Sequence, residues 1–238
     1  MTLRISTATA NRMMGEVSAV SGTTIALVAA SNKVTDSGDT LLEEGFCPGD
    51  VLLISGSTTE ANNIYVTVTS VASDGSEMTI SAVDTNDSAN ANLTVTGMPK
   101  GFKQLFKYGI LDIYSSTQPA TADAVETGTL LVSLTVDAGA FTAGTSTNGL
   151  EFNTISDGKL SKSTATWQGT AVATGTAGWG RFYGNQYITG ADTDDVAVRF
   201  DGQCGSAYEF ALSNLSIETG SPVTCDQMDL THRTVPAT

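Results

Sequence analysis
The 238-residue chain is short of charge, histidine, proline and cysteine, and each shortage excludes something. Charged residues are 15% of the sequence, against roughly 25% in an average soluble domain. The deficit falls on the bases: 11 Lys and Arg stand against 25 Asp and Glu, a formal net charge of −14. A chain this acidic has no basic stripe to neutralise phosphates, so nucleic acid is not an expected partner. No stretch approaches the roughly 18–20 apolar residues of a membrane span. The opening Met-Thr-Leu-Arg-Ile-Ser also lacks the apolar run and cleavage site of a signal peptide, so a membrane partner is not expected either.

The one histidine, His232, lies close to the C-terminus, a poor place for a preorganised general base. No HExxH, GxSxG, P-loop or GxGxxG occurs. The glycine-rich run Gly175-Thr-Ala-Gly-Trp-Gly180 lacks the helix N-terminus of a phosphate cradle and reads as turns. Cys47, Cys204 and Cys225 are an odd set without a close pair, which excludes a CxxC motif and a zinc ribbon. They read as three free thiols, with a Cys204–Cys225 bridge as the alternative. The sequence therefore predicts a protein that is not an enzyme and holds no cofactor.

In place of charge the chain has Ser and Thr, about a quarter of its residues, and 24 Gly, with 40% hydrophobic residues to sustain a core. Thr and Val favour pleated surfaces, and Gly and Ser supply turns. The acids are unevenly placed. Between Gly15 and Gly97 eleven acids face one base, Lys33, a net of −10. Five bases flank that stretch: Arg4 and Arg12 before it, Lys100, Lys103 and Lys107 after it. A charge step this sharp marks a separate unit.

Within 15–99 the pattern predicts two short strands about the Ser21-Gly22 turn, then strands at Asp50–Ile54, Asn63–Val71, Glu77–Ser81 and Asn92–Thr96. This describes a small β-barrel or sandwich. Residues 100–108 space Phe102, Leu105, Phe106 and Tyr108 along one helical face. About eight further strands follow, among them Ile110–Tyr114, Leu130–Val136, Gly180–Tyr183, Asp195–Phe200 and Pro222–Asp226, as in a jelly roll. The expected fold is all-β. Residues 1–14 and 100–238 form a jelly-roll-like β-sandwich, and 15–99 form a small acidic β-domain inserted into it.

Two acidic loops, Asp84-Thr-Asn-Asp87 and Asp192-Thr-Asp194-Asp195, read either as solvated turns or as oxygen ligands for calcium. Trp167, Trp179, Phe182, Tyr183 and Tyr187 read either as core packing or, through Trp167, Trp179 and Tyr183, as a platform for stacking sugars.

The run Gly109-Ile-Leu-Asp-Ile-Tyr-Ser-Ser-Thr-Gln-Pro-Ala-Thr-Ala-Asp-Ala-Val-Glu-Thr-Gly-Thr-Leu-Leu131 resembles a recurring signature of tailed-bacteriophage and prophage structural proteins. The resemblance continues through Asp157–Ser161, Trp167, Gly175–Tyr183 and Leu212–Thr224, covering about 130 residues. Gly45-Phe-Cys-Pro-Gly-Asp-Val-Leu-Leu-Ile-Ser-Gly56 is similar to small β-domains of phage virion proteins. The resemblance carries no catalytic residues. It implies a virion component made in the host bacterial cytoplasm: a capsid decoration protein, head fibre or neck protein, working as a homo-oligomer with the major capsid protein or other virion proteins as partners. On that view Arg4, Arg12, Lys100, Lys103 and Lys107 face the capsid. The alternative is a virion-attached module that recognises a host receptor or glycan.

Overall fold
The computed structural model describes residues 3–88 and 90–231; His232 lies outside them. The fold is all-β, with two short α-helices among eighteen strands in the described residues. Residues 3–10, 102–141 and 148–231 form one compact unit, and residues 11–101 with 142–147 form a second. The excursion 142–147 has no sequence signal, yet it joins the smaller unit, where the Val71 amide donates to the Gly144 carbonyl at 2.7 Å.

The described chain opens with β1 (Arg4–Ile5) and α1 (Thr7–Met13). Helix α1 was not expected. Its start is set by Ser6, whose Oγ accepts the Thr9 amide at 3.2 Å and so satisfies a helix-end donor.

The smaller unit contributes β2 (Ala19–Ser21), β3 (Ile25–Val28), β4 (Lys33–Asp36), β5 (Val51–Ser55), β6 (Tyr65–Val71), β7 (Glu77–Ile80) and β8 (Thr94–Gly97). They form one antiparallel sheet in the order β2-β8-β5-β6-β7-β4-β3. Its two edge strands follow one another in the chain with only residues 22–24 between them, so the sheet rolls into a barrel. Strands β2 and β3 flank the expected turn but do not pair: β2 pairs with β8 and β3 with β4. Period-two alternation sends Val66, Val68, Leu52, Ile54, Met78, Ile80 and Val95 inward, where they meet Phe46, Leu41 and Ile25 in the core.

The larger unit contributes α2 (Phe102–Leu105), then β9 (Ile110–Ser115), β10 (Leu130–Val136), β11 (Lys159–Ser161), β12 (Trp167–Thr170), β13 (Gly175–Tyr183) and β14 (Arg199–Gln203). It closes with β15 (Ala211–Leu212), β16 (Ser216–Ile217), β17 (Pro222–Gln227) and β18 (Asp229–Thr231). Nine of its strands form one antiparallel sheet along the path β1-β14-β13-β9-β10-β12-β17-β15, with β16 added to β13; β11 and β18 pair separately. Phe200 near one end of this path and Val223 and Cys225 near the other share one core, so the sheet curls over itself as a sandwich. Bulges between Leu130 and Val132 and between Ala177 and Trp179 supply local bends.

The core is strongly aromatic. Phe182 stacks on Phe200 with centroids 5.3 Å apart, and Phe106, Phe152 and Trp167 pack around the pair. The run Gly175–Gly180, expected as turns, is the first two-thirds of β13. Its glycines answer to crowding: a Cβ on Gly178 would lie 1.9 Å from the Ser116 carbonyl oxygen, and one on Gly180 would press on Ile113 and Phe210. The one-turn helix α2 is shorter than the expected 100–108.

Candidate functional site
Strands β9, β13 and β14 bury both faces. Leu111, Ile113, Phe182 and Phe200 point into the aromatic core. The alternate residues Asp112, Tyr114, Trp179, Arg181, Tyr183, Arg199 and Asp201 point to the other face, and all seven are buried. The register aligns three of them with Arg4 in a charge-alternating row across the strands: Arg4 opposite Asp201, Asp201 opposite Arg181, Arg181 opposite Asp112.

Residues 116–129 cross this face as a strap, and 184–198 form a second covering loop. Arg181 makes a bidentate pair with Asp201 (Nε–Oδ1 2.6 Å, Nη2–Oδ2 2.8 Å) and donates through Nη1 to Glu126 Oε1 and the Ala124 carbonyl, both at 2.9 Å. Arg199 donates to the Gly190 carbonyl at 2.8 Å and to the Asp123 carbonyl at 2.9 Å. Trp179 donates from Nε1 to the Thr127 carbonyl at 3.1 Å, and Arg4 donates to the Pro119 carbonyl. The Asp123 carboxylate accepts the Thr7 amide at 2.9 Å and the Thr7 hydroxyl at 2.8 Å, which anchors the first turn of α1. The strap is thus held through four backbone carbonyls and two carboxylates.

Glu126 joins the two covering segments. It accepts from Arg181, from the Tyr183 hydroxyl at 2.7 Å and from the Gly190 amide at 3.1 Å. Burial pushes its pKa up, but Tyr183, Arg181 and backbone amides outweigh that and hold it below the ordinary glutamate value. The Arg181 guanidinium loses solvation, and Asp201 more than compensates, so it is held charged. Burial raises the hydroxyl pKa of Tyr114, Tyr183 and Tyr187, and neighbouring carboxylates add to it.

Asp112 differs from the other acids. Its Oδ2 accepts the Tyr187 hydroxyl at 3.0 Å and the Tyr114 hydroxyl at 3.4 Å, while Oδ1 has no partner. Burial pushes its pKa up to about 6, against hydrogen bonds from Ser133, Tyr187 and Tyr114. Tyr187 reaches it from a left-handed backbone (φ 51°) and packs edge-on against Tyr183. The Tyr114 and Tyr183 hydroxyl oxygens lie 3.3 Å apart between the two carboxylates, one spending its proton on Asp112 and the other on Glu126, which Arg181 also serves.

The residues singled out in the sequence are placed as follows. Trp167, Trp179 and Tyr183 are 0%, 0% and 1% exposed, so they form no platform for sugars. Trp167 belongs to the aromatic core, and Trp179 stacks on Tyr114 at 4.8 Å within the polar face. Two of the five flanking bases turn inward. The Arg12 side chain is buried and donates to Ser18 at 3.0 Å. Lys100 pairs with buried Asp50 at 2.5 Å and donates to the Gly45 carbonyl at 2.8 Å. Both spend their charge inside the smaller unit, on or beside the turn Gly45–Asp50, because an acidic barrel has few other cations to neutralise its buried acceptors. Arg4 is engaged by Pro119. Lys103 and Lys107 are half-buried, the latter 4.5 Å over the Tyr108 ring.

Asp87 is buried as a loop hub, accepting from Ser57, Thr58 and Asn90; burial raises its pKa, and these bonds outweigh it and leave it lowered. Asp84 is exposed in the same loop. Asp192 caps the Val196 and Ala197 amides, and Asp194 and Asp195 are exposed. Among the described residues no group of three His, Cys, Asp or Glu is placed to hold a metal ion. The three cysteines are free and buried. Among the described residues no helix is long and apolar enough to cross a membrane.

Arg181, Asp201, Glu126, Arg199 and Asp112 belong to no catalytic sequence motif. Their signal was a charge enclosed by apolar strand residues, as in Ile110-Leu-Asp-Ile-Tyr114 and Trp179-Gly-Arg-Phe-Tyr183. No family model matches the chain, and no curated protein or solved structure matches it.

Proposed function
We propose that the chain is a non-enzymatic structural component of a bacteriophage virion that binds the capsid surface as a decoration protein. The observation that carries this reading is the role of the strap. Pro119, Asp123, Ala124, Glu126 and Thr127 lie in the run that resembles phage structural proteins, and each spends its polar atoms on closing the buried face. Such residues build a rigid, doubly covered sheet, which suits a particle component that must persist outside the cell. The half-buried bases Lys103 and Lys107 are the flanking cations left to meet an acidic capsid surface.

Copy number per purified particle tests the reading. A decoration protein is present in a fixed ratio to the major capsid protein, and purified chain rebinds particles that lack it. Absence from purified particles, or failure to rebind, overturns the proposal. Presence in only a handful of copies would point instead to a fibre.

A further inference from the structure
The barrel of the smaller unit has one side without charge. Strands β2, β8, β5 and β6 contain no acid and no base, although the 15–97 stretch to which they belong carries a net −10. The acids sit in the connecting turns, inside the unit as Asp50 and Asp36, or across the barrel, where Glu77 of β7 pairs with Lys33 of β4 at 2.5 Å.

The register shows what the neutral side presents. Tyr65 lies opposite Leu53, Leu53 opposite Thr96, and Thr96 opposite Ala19, so one row crosses all four strands. Beside it Val51 lies opposite Thr67. Tyr65 is 64% exposed and Val51 43% exposed, and they bracket the half-buried Leu53. An exposed tyrosine and two aliphatic side chains, set among Ser and Thr with no charge, match an interface centre in its depletion of charge and enrichment of aromatics.

We propose that this face binds a second copy of the same chain, two β2-β8-β5-β6 faces stacking about a twofold axis. Charge selects the occupant. A basic partner would seek the acids, which this face does not carry. A second copy of a −10 unit is repelled wherever carboxylates meet carboxylates, and this face is the approach on which none do. Face-to-face stacking of sheets gives the geometry, and a twofold axis brings the same row from each copy together. The proposal is independent of the virion reading, since self-association is measured on the isolated protein.

Sedimentation of the full chain over a wide concentration range, at low and at high salt, tests it. The expected mass rises from one chain toward two with concentration. Added salt strengthens the association, because it screens the repulsion between acidic units without touching an uncharged interface. Tyr65→Glu or Thr67→Glu places carboxylates face to face and weakens self-association by about tenfold or more. Thr79→Glu, on β7 outside the face, leaves it unchanged. Both tested side chains are exposed, so each variant should keep the wild-type circular dichroism. The proposal is overturned if the wild type stays a single chain at the highest concentration, if salt weakens the association, or if both face variants associate like the wild type.

Discussion

Arg181 lies opposite Asp112 in the register of the large sheet, yet its guanidinium turns the other way, to Asp201 and Glu126. Asp112, only 1% exposed, is left to neutral hydroxyls with no cation paired to it, and burial raises its pKa to about 6. The sign of the consequence is fixed by linkage. Below the ordinary aspartate value near 3.8 the group is neutral whether folded or unfolded and costs nothing. Between about pH 4 and 6 the unfolded chain ionises first, and above pH 6 the folded state bears a buried charge costing about 3 kcal/mol. Asp112→Asn removes that charge and should stabilise the protein at pH 7.5 by about 1–3 kcal/mol, with the gain vanishing near pH 4. Urea unfolding at the two pH values measures it; equal effects at both would refute the assignment.

Arg181 itself should be hard to replace. Arg181→Met leaves Asp201 buried and unpaired and should cost about 3–5 kcal/mol. Arg181→Lys should recover little, because an ammonium cannot reproduce the fork that grips both carboxylate oxygens. The double variant Arg181→Met with Asp201→Leu should regain most of the loss, since the charge left behind is the main cost. Chemical denaturation of the three variants decides this, and a double variant no better than the single one would show that the pair does more than compensate itself.

The strands with clear alternation were legible in the sequence: β5, β6, β7, β9 and β10 fall within a few residues of their expected positions. Elements governed by packing or by a single side chain were not. The glycines of β13 read as turns because their cause, the close approach of Ser116 and Phe210, comes from distant parts of the chain. Helix α1 depends on the cap at Ser6, and the same residue serves equally well as a strand end. Strand β4, Lys-Val-Thr-Asp, has one strong apolar residue and no visible period. The bases at the edges of the acidic stretch were visible as a charge step. That Arg12 and Lys100 turn inward depends on acceptors near the 45–50 turn, which spacing along the chain cannot disclose.

Glu126 ties the strap to the loop at Gly190, so its loss should loosen the cover before it unfolds the sheet. Glu126→Gln retains an acceptor but removes the charge that Arg181 and Tyr183 serve. A cost of about 2 kcal/mol is expected, within the range for hydrogen bonds to charged groups. Amides of 117–129 should exchange faster with solvent while those of β10 and β13 stay protected. Hydrogen exchange read by mass spectrometry resolves the segments, and uniform loss of protection would mean that the strap and sheet open together.

At the turn of the smaller unit, Gly45 has φ +83°, and a Cβ there would lie 1.8 Å from Arg12 Nη1. Gly45→Ala therefore meets both an unfavourable backbone and a displaced guanidinium, and should destabilise by more than about 1 kcal/mol. Arg12→Ala combined with Gly45→Ala should be less than additive, because the first change removes the group that the new methyl strikes. Additive effects in urea unfolding would place the cost in the backbone alone.

The cysteines offer a test of the cores that needs no substitution. Burial pushes the Cys47 and Cys225 thiols up to about 12 and raises Cys204 as well, so thiolate is scarce in the folded protein near neutral pH. Cys47 lies beside the Asp50–Lys100 pair of the barrel, while Cys204 and Cys225 belong to the sandwich core. A thiol reagent at pH 8 should label none of the three in the native state and all three in denaturant. Across a urea titration, peptide mapping of the labelled sites then reports each unit by its own thiol. Earlier labelling of Cys47 than of Cys204 and Cys225 would mean that the barrel opens first, whereas rapid labelling of any of them without denaturant would contradict the packing described above.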